Sequence, residues 1–367
     1  MIMLFGVYND RKYGGKCRKK IGDEMMINKE PNQVQSLVEY LHIPWAIDIS
    51  DDGRIFFTER DGNLRVITYG NLNPVPIHTF GLPFISTGEG GLLGLALDRD
   101  FLSNGYIYIM YTYGEKGKLY NRVVRMRVVG EMAFKEGILL DRIPGGRFHN
   151  GGRIKIGPDG YLYIATGDGG IHDLSQDVNS LAGKILRIGT DGSIPPDNPF
   201  QGSPVYAMGL RNPEGLAWND KNMLYVTDHG DTNHDEINLI LPGGNYGSPL
   251  VIGSEKLESD DFIEPILESG DTTWAPGGAA FINSGPRKGQ LLVSMLRGNG
   301  LLAITFDETG TQVVDVEPLL LDTYGRLREV HQASDGSIYI TTSNKDGRGN
   351  IHFGDDKILK IAPSILI

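Results

Sequence analysis

Short apolar runs in this chain follow turn residues at regular intervals. Asp52-Gly53-Arg54 leads into Ile55-Phe56-Phe57-Thr58, a turn followed by a β-branched and aromatic run. A run of that kind, bounded by turn residues, predicts a strand. The pattern returns with Asn104-Gly105 before 106–109, Asp159-Gly160 before 161–164 and Lys221-Asn222 before 223–226. It returns again with Lys288-Gly289 before 290–293 and Asp335-Gly336 before 337–340. Each copy has a strand-like segment behind it, at 45–49, 92–97, 152–156, 214–218, 277–282 and 327–332. Each has another ahead, at 64–67, 123–129, 184–188, 236–240, 301–306 and 357–361. Strand-turn-strand-turn-strand units repeating every 47 to 67 residues or about that are propeller blades. The pattern therefore predicts an all-β, six-bladed β-propeller with about four antiparallel strands per blade. Unrelated hairpins in a β-sandwich are the competing reading, and six units in phase disfavour it.

The ring is expected to close when a strand near 33–40, with Val34, Leu37 and Val38 apolar, pairs with the last blade. Closure removes the exposed edges that an open array would carry. No segment shows a sustained helical pattern. Residues 31–367 are expected to form the single propeller domain, and 1–30 a mobile extension. The extension starts apolar and turns basic from Arg11 to Lys20, the reverse of a secretory signal, and the compartment stays open.

Composition agrees with this picture and narrows it. The 367 residues include 50 Gly and 19 Pro, a turn-rich content that suits strands on short loops. The net charge of −11 argues against nucleic acid or an anionic membrane as partner. No apolar stretch approaches the roughly 18 residues of a membrane span. The lone Cys17 excludes an intramolecular disulfide and a cysteine-based zinc site. Dinucleotide, P-loop and nucleophile-elbow motifs are absent, so nicotinamide, nucleoside triphosphate and serine-hydrolase chemistry fit poorly.

A propeller binds its ligand near the axis, on loops at one end. The loops entering the inner strands of blades 2 to 6 carry Glu89, His149, Arg211, Trp274, and the pair Arg326 and Arg328. If the repeat holds, these residues converge. The arginines, with Arg297 on a neighbouring loop, would hold a polyanion against the overall charge. His149 offers a base with a near-neutral pKa, and Asp168 a carboxylate to fix its tautomer. The Gly230-Asp231 turn offers oxygens to a hard cation such as calcium.

The motifs also carry a resemblance. Pro44-Trp45-Ala46-Ile47, Thr58-Glu59-Arg60-Asp61-Gly62, Gly88-Glu89-Gly90-Gly91-Leu92-Leu93-Gly94 and His149-Asn150-Gly151-Gly152-Arg153 stand in order. Thr166-Gly167-Asp168, Ala182-Gly183-Lys184-Ile185-Leu186-Arg187, Arg211-Asn212-Pro213, Asp235-Glu236-Ile237-Asn238 and Gly243-Gly244-Asn245-Tyr246-Gly247 follow. Over roughly 33–362 the set resembles the soluble pyrroloquinoline-quinone (PQQ)-dependent aldose and glucose dehydrogenases. The resemblance implies PQQ and calcium as cofactors. It also implies an aldose substrate oxidised to a lactone and an external electron acceptor of unknown identity; a monomer is an expectation only, and the sequence leaves the oligomeric state open. It makes His149 the general base, Asp168 its orienting carboxylate, and Arg211 and Asn212 the residues flanking quinone and substrate. It makes Arg326 and Arg328 carboxylate binders, puts Arg297 where the family has a Lys, and gives Gly230 and Asp231 the calcium. Glu89 and His229 stand at cofactor positions where Gln is common, Asp231 where Pro occurs, and Ser343 near an expected Asp. Trp274 does not align cleanly with the stacking aromatic. Together with short expected loops, these departures favour a broad aldose enzyme over a strict glucose enzyme. A calcium-dependent lactonase and a non-catalytic sugar- or protein-binding propeller remain as alternatives.

Overall fold

A computed structural model describes residues 34–254 and 261–362. Within them lie six antiparallel sheets, each built around consecutive strands, which is the six-bladed β-propeller. Blade 1 holds Pro44–Ile49, Ile55–Glu59 and Asn63–Thr68, with two short outer pieces. Blade 2 holds Leu92–Leu97, Tyr106–Glu115, Lys118–Val129 and Met132–Pro144; blade 3 holds Ile154–Ile156, Leu162–Thr166, Lys184–Ile188 and Val205–Met208. Blade 4 holds Pro213–Trp218, Leu224–Asp228, Glu236–Ile240 and Leu267–Glu268; blade 5 holds Pro276–Phe281, Leu291–Met295, Gly300–Phe306 and Val313–Leu319. Blade 6 holds Leu327–Gln332, Ile338–Thr342 and Ile358–Ile361, completed by Gln35–Val38 from the other end of the sequence. That last pairing is antiparallel, Gln35 opposite Lys360 and Val38 opposite Ile358, so the ring closes as expected. The expected extension, residues 1–30, lies outside the described residues. None of the described helices is long and apolar enough to cross a membrane.

The second strand of each blade explains why the repeat reads so clearly. Ile55–Glu59, Leu162–Thr166, Leu224–Asp228, Leu291–Met295 and Ile338–Thr342 are buried at every position. A strand packed on both faces must be apolar without alternation. Burying each Ile, Leu, Val, Phe or Met side chain among them stabilises the fold by about 1.5–3 kcal/mol.

Two features aim side chains at the axis. The inner strands of blades 1, 2, 4, 5 and 6 slip register near their first residues. A bulge there turns the strand and redirects the residues beside it, Glu214 and Arg328 among them. Glycines then let neighbouring inner strands approach backbone to backbone. A Cβ on Gly94 would overlap the Gly152 carbonyl, and one on Gly215 would stand 2.6 Å from the Gly277 carbonyl. The connections between blades are short, as expected, and the longer ones lie within blades. Residues 241–266 separate the third and outer strands of blade 4, and part of that segment walls the cavity described next.

Candidate active site

His149 ends the loop that enters blade 3 and adopts a left-handed backbone with φ of 55°. Its Nδ1 lies 2.8 Å from Asp168 Oδ1. Gly167 permits this, because a Cβ there would overlap the His149 carbonyl. Asp168 has no exposed surface. Its Oδ1 also accepts the Gly170 N–H at 2.7 Å, and its Oδ2 lies 2.7 Å from His172 Nδ1. Burial works against the carboxylate charge, but the hydrogen bonds from His149, Gly170 and His172 outweigh it. They hold Asp168 below the usual carboxylate range. Glu89 Oε2 accepts the His149 backbone N–H at 2.9 Å, and its Oε1 accepts Arg348 Nη1 at 2.6 Å. Burial opposes this carboxylate too, and the two donors overcome it and lower its pKa.

Arg211 stands on the blade 4 side. Its Nη1 donates to the Gly230 carbonyl at 2.7 Å and its Nη2 to Asp231 Oδ1 at 2.8 Å. Its backbone N–H and that of Asn212 are both taken by the Asp228 carboxylate, at 2.8 and 2.6 Å. Asp228 faces Glu236 across the strand pair. Burial raises both carboxyls, and for Glu236 the neighbouring Asp228 adds to the rise. These groups, with His172 and His229, line a cavity of about 240 Å³ closed on one side by Ser248 to Gly253. His229 is tethered through Nε2 to the Pro276 carbonyl at 2.9 Å. Asn212 is buried, and both ends of its amide are used within the protein: Oδ1 by the Gly151 N–H, Nδ2 by Glu214.

Glu214 links two blades across the axis, since its other oxygen accepts Arg328 Nη1 at 2.8 Å. Arg326 donates from Nε and Nη2 to Asp346 Oδ2 at 2.9 and 2.7 Å. Ser343, expected near an acidic position, bonds Arg328 Nε through Oγ and passes a hydrogen bond to Asp346, which supplies the carboxylate three residues later. Among the described residues, two predicted residues make no side-chain hydrogen bond to this network. Trp274 packs against the apolar cluster of blades 4 and 5, its backbone N–H fixed by Asp235 Oδ2 at 2.6 Å. Arg297 is exposed, and among the described residues its side chain makes no hydrogen bond or ion pair.

The sequence reading missed several residues. His172 joins the site because a short 3-10 turn, His172–Ser175, returns it to Asp168 four residues on. Glu214, Asp346 and Arg348 sit beside recognised arginines or Glu89. Arg60 lies in the Thr58-Glu59-Arg60-Asp61-Gly62 motif. It is partly buried, with Arg328, Asp346, Glu89 and Arg348 around it, and burial followed by Arg328 lowers its pKa. Among the described residues its guanidinium makes no hydrogen bond or salt bridge.

The family model for Glucose / Sorbosone dehydrogenase matches residues 41–354. The chain belongs to this family. It is an oxidoreductase. A PQQ-bound aldose sugar dehydrogenase from Streptomyces coelicolor is similar in structure, with a TM-score of 0.82 at 35% identity over 90% of this chain and 97% of that one. In sequence, an aldose sugar dehydrogenase of Escherichia coli is 30% identical over 360 residues, 90% of this chain and 92% of its own. Quinoprotein glucose dehydrogenase B of Acinetobacter calcoaceticus is 34% identical over 253 residues, 59% of this chain and 52% of its own.

Proposed function

We propose that this oxidoreductase is PQQ-dependent and oxidises aldoses at the anomeric carbon to the lactone, with calcium beside the cofactor. The observation that carries the reading is the unpaired Arg60 guanidinium, set near Arg328 and Arg348 in a chain of net charge −11. A cation left partly buried and without a hydrogen bond suits a ligand that brings carboxylates, and guanidinium binds carboxylates in bidentate fashion. Arg326 and Arg328 extend the cationic wall, with Asp346 and Glu214 fixing their planes. The Gly230 carbonyl and the Asp231 carboxylate converge on one guanidinium, that of Arg211. These two hard oxygens are of the kind calcium takes and would supply part of its shell of about six to eight. When bound, the quinone supplies the two-electron redox capacity and calcium polarises it.

The chain's own residues manage protons and charge. With Nδ1–H given to Asp168, the His149 imidazole keeps Nε2 as the acceptor for the anomeric hydroxyl proton. Asp168 balances the imidazolium that results. Glu89 holds the His149 backbone, and Arg211 places positive charge at the cavity wall, where negative charge grows as the sugar is oxidised. An external acceptor then removes the electrons. The departures at Glu89, His229 and Asp231 support a broad range of aldoses.

The test is His149→Ala. Turnover should fall by about 10²–10⁴, the usual worth of a general base, while PQQ affinity stays within a few-fold. Near-normal turnover with bound PQQ would remove His149 from the role of base.

A further inference from the structure

His149, Asp168 and His172 hold a second arrangement of donors beyond the sugar chemistry. Asp168 receives one imidazole on each oxygen, through Nδ1 in both cases, at 2.8 and 2.7 Å. One ligand atom from each of the three residues lies within 4.8 Å of the other two. Nitrogen and oxygen ligands about 2.0–2.2 Å from a four-coordinate ion are roughly 3.3 Å apart. The gap closes by a shift of at most about 1.5 Å. His172 is free to make it: its side chain is 50% exposed and it opens a short 3-10 turn. The two rings are 5.9 Å apart at an interplanar angle of 43°, so they are not stacked against each other. His172 also lines the cavity beside Arg211, which gives an ion a path in.

The chemistry of this set differs from that of Gly230 and Asp231. Two imidazole nitrogens and one carboxylate oxygen suit late first-row divalent ions and are poor ligands for calcium, which takes oxygen. We propose that His149, Asp168 and His172 form an inhibitory binding site for a divalent ion of the zinc class.

Inhibition follows from the proton inventory. A neutral imidazole has one ring proton, held here at Nδ1 by Asp168. An ion that takes Nδ1 forces that proton onto Nε2, so no proton is lost and no electron moves. Nε2 of His149 is then a donor and no longer accepts from a hydroxyl. Metal binding stands on the geometry alone, whereas inhibition rests on His149 being the base as proposed above.

The experiment uses the full chain stripped of metals, with calcium in excess. Zinc is titrated calorimetrically, and cobalt is added separately for its visible d–d absorption. One zinc ion per chain is expected, with an imidazole-type cobalt spectrum, and binding about tenfold weaker or worse in His172→Asn. Thermal melting checks that this variant is folded. No zinc binding at micromolar concentrations, or equal binding by His172→Asn, would overturn the site, the second result placing the ion on other histidines. In the assembled enzyme, zinc should suppress turnover reversibly on chelation, and whatever activity His172→Asn retains should be insensitive. Zinc bound through His172 with turnover unchanged would keep the site and overturn both the inhibition and the assignment of His149 as base.

Discussion

Replacing Asp168 with Asn tests the imidazole–carboxylate pair with the least change in shape. The structure dictates how the amide would sit. Oδ1 accepts both the His149 Nδ1–H and the Gly170 N–H, while Oδ2 meets only His172. The amide oxygen therefore takes the Oδ1 place, and the NH2 group turns to His172, which shifts to its other tautomer. His149 keeps its tautomer and loses only its counter-charge. The cost has two bounds. Exchanging a charge-assisted hydrogen bond for a neutral one gives up about 1–2 kcal/mol. A full unit charge about 4 Å away, at an effective dielectric of 20, gives up about 4 kcal/mol. Turnover should thus fall by about 10 to 10³, with PQQ affinity within a few-fold of wild type. Steady-state dye reduction at saturating PQQ and calcium measures the first quantity, a PQQ titration the second, and an unfolding curve confirms the fold. Wild-type turnover in Asp168→Asn would refute the idea that an imidazolium forms beside this carboxylate.

Other variants probe other parts of the account. Arg60→Gln should weaken PQQ binding by about 10- to 100-fold, the worth of one charged hydrogen bond, in an equilibrium titration; unchanged affinity would put the cofactor elsewhere. Gly94→Ala drives a Cβ into the Gly152 carbonyl and should cost about 1–3 kcal/mol or more in urea unfolding, since backbone cannot swing aside. His331 concerns acid stability. Burial first, then Lys155, holds its pKa at about 4 against the ordinary 6.5, with Asp48 opposing. The unfolded chain takes the proton from pH 6.5 downward and the folded chain only near pH 4, so stability is lost as pH falls across that window. With the side chain 16% exposed, the loss has a ceiling of about 3 kcal/mol. Between pH 7 and pH 4, His331→Gln should lose less stability than wild type by up to that amount, and equal losses would contradict the burial argument.

The fold was legible because the second strands are buried on both faces. Ile55, Phe56 and Phe57 have no solvent side and so leave an unbroken apolar run. Outer strands such as Met132–Pro144 and Val313–Leu319 are largely exposed or half-buried, and their sequences carry no such mark. In the candidate site, the loops entering the inner strands bring Glu89 to His149 and Arg328 to Glu214, since equivalent loops share one end of the ring. Other contacts are made by a different geometry. His172 arrives through a turn, Asp346 and Arg348 through the long connection between the second and third strands of blade 6, and Glu214 through a bulge. Trp274 occupies an equivalent loop, but Asp235 pins its backbone while its ring packs into the apolar cluster between blades 4 and 5. Equivalent chain position therefore placed the loops without deciding which side chains face the axis.

The account stands or falls on catalysis that needs the quinone. Apo-protein mixed with PQQ, calcium, an aldose and an artificial electron acceptor should bleach the dye and yield a lactone, with no turnover when PQQ is omitted. Sugar-lactone hydrolysis without added quinone, or silence from protein carrying bound PQQ, would contradict it.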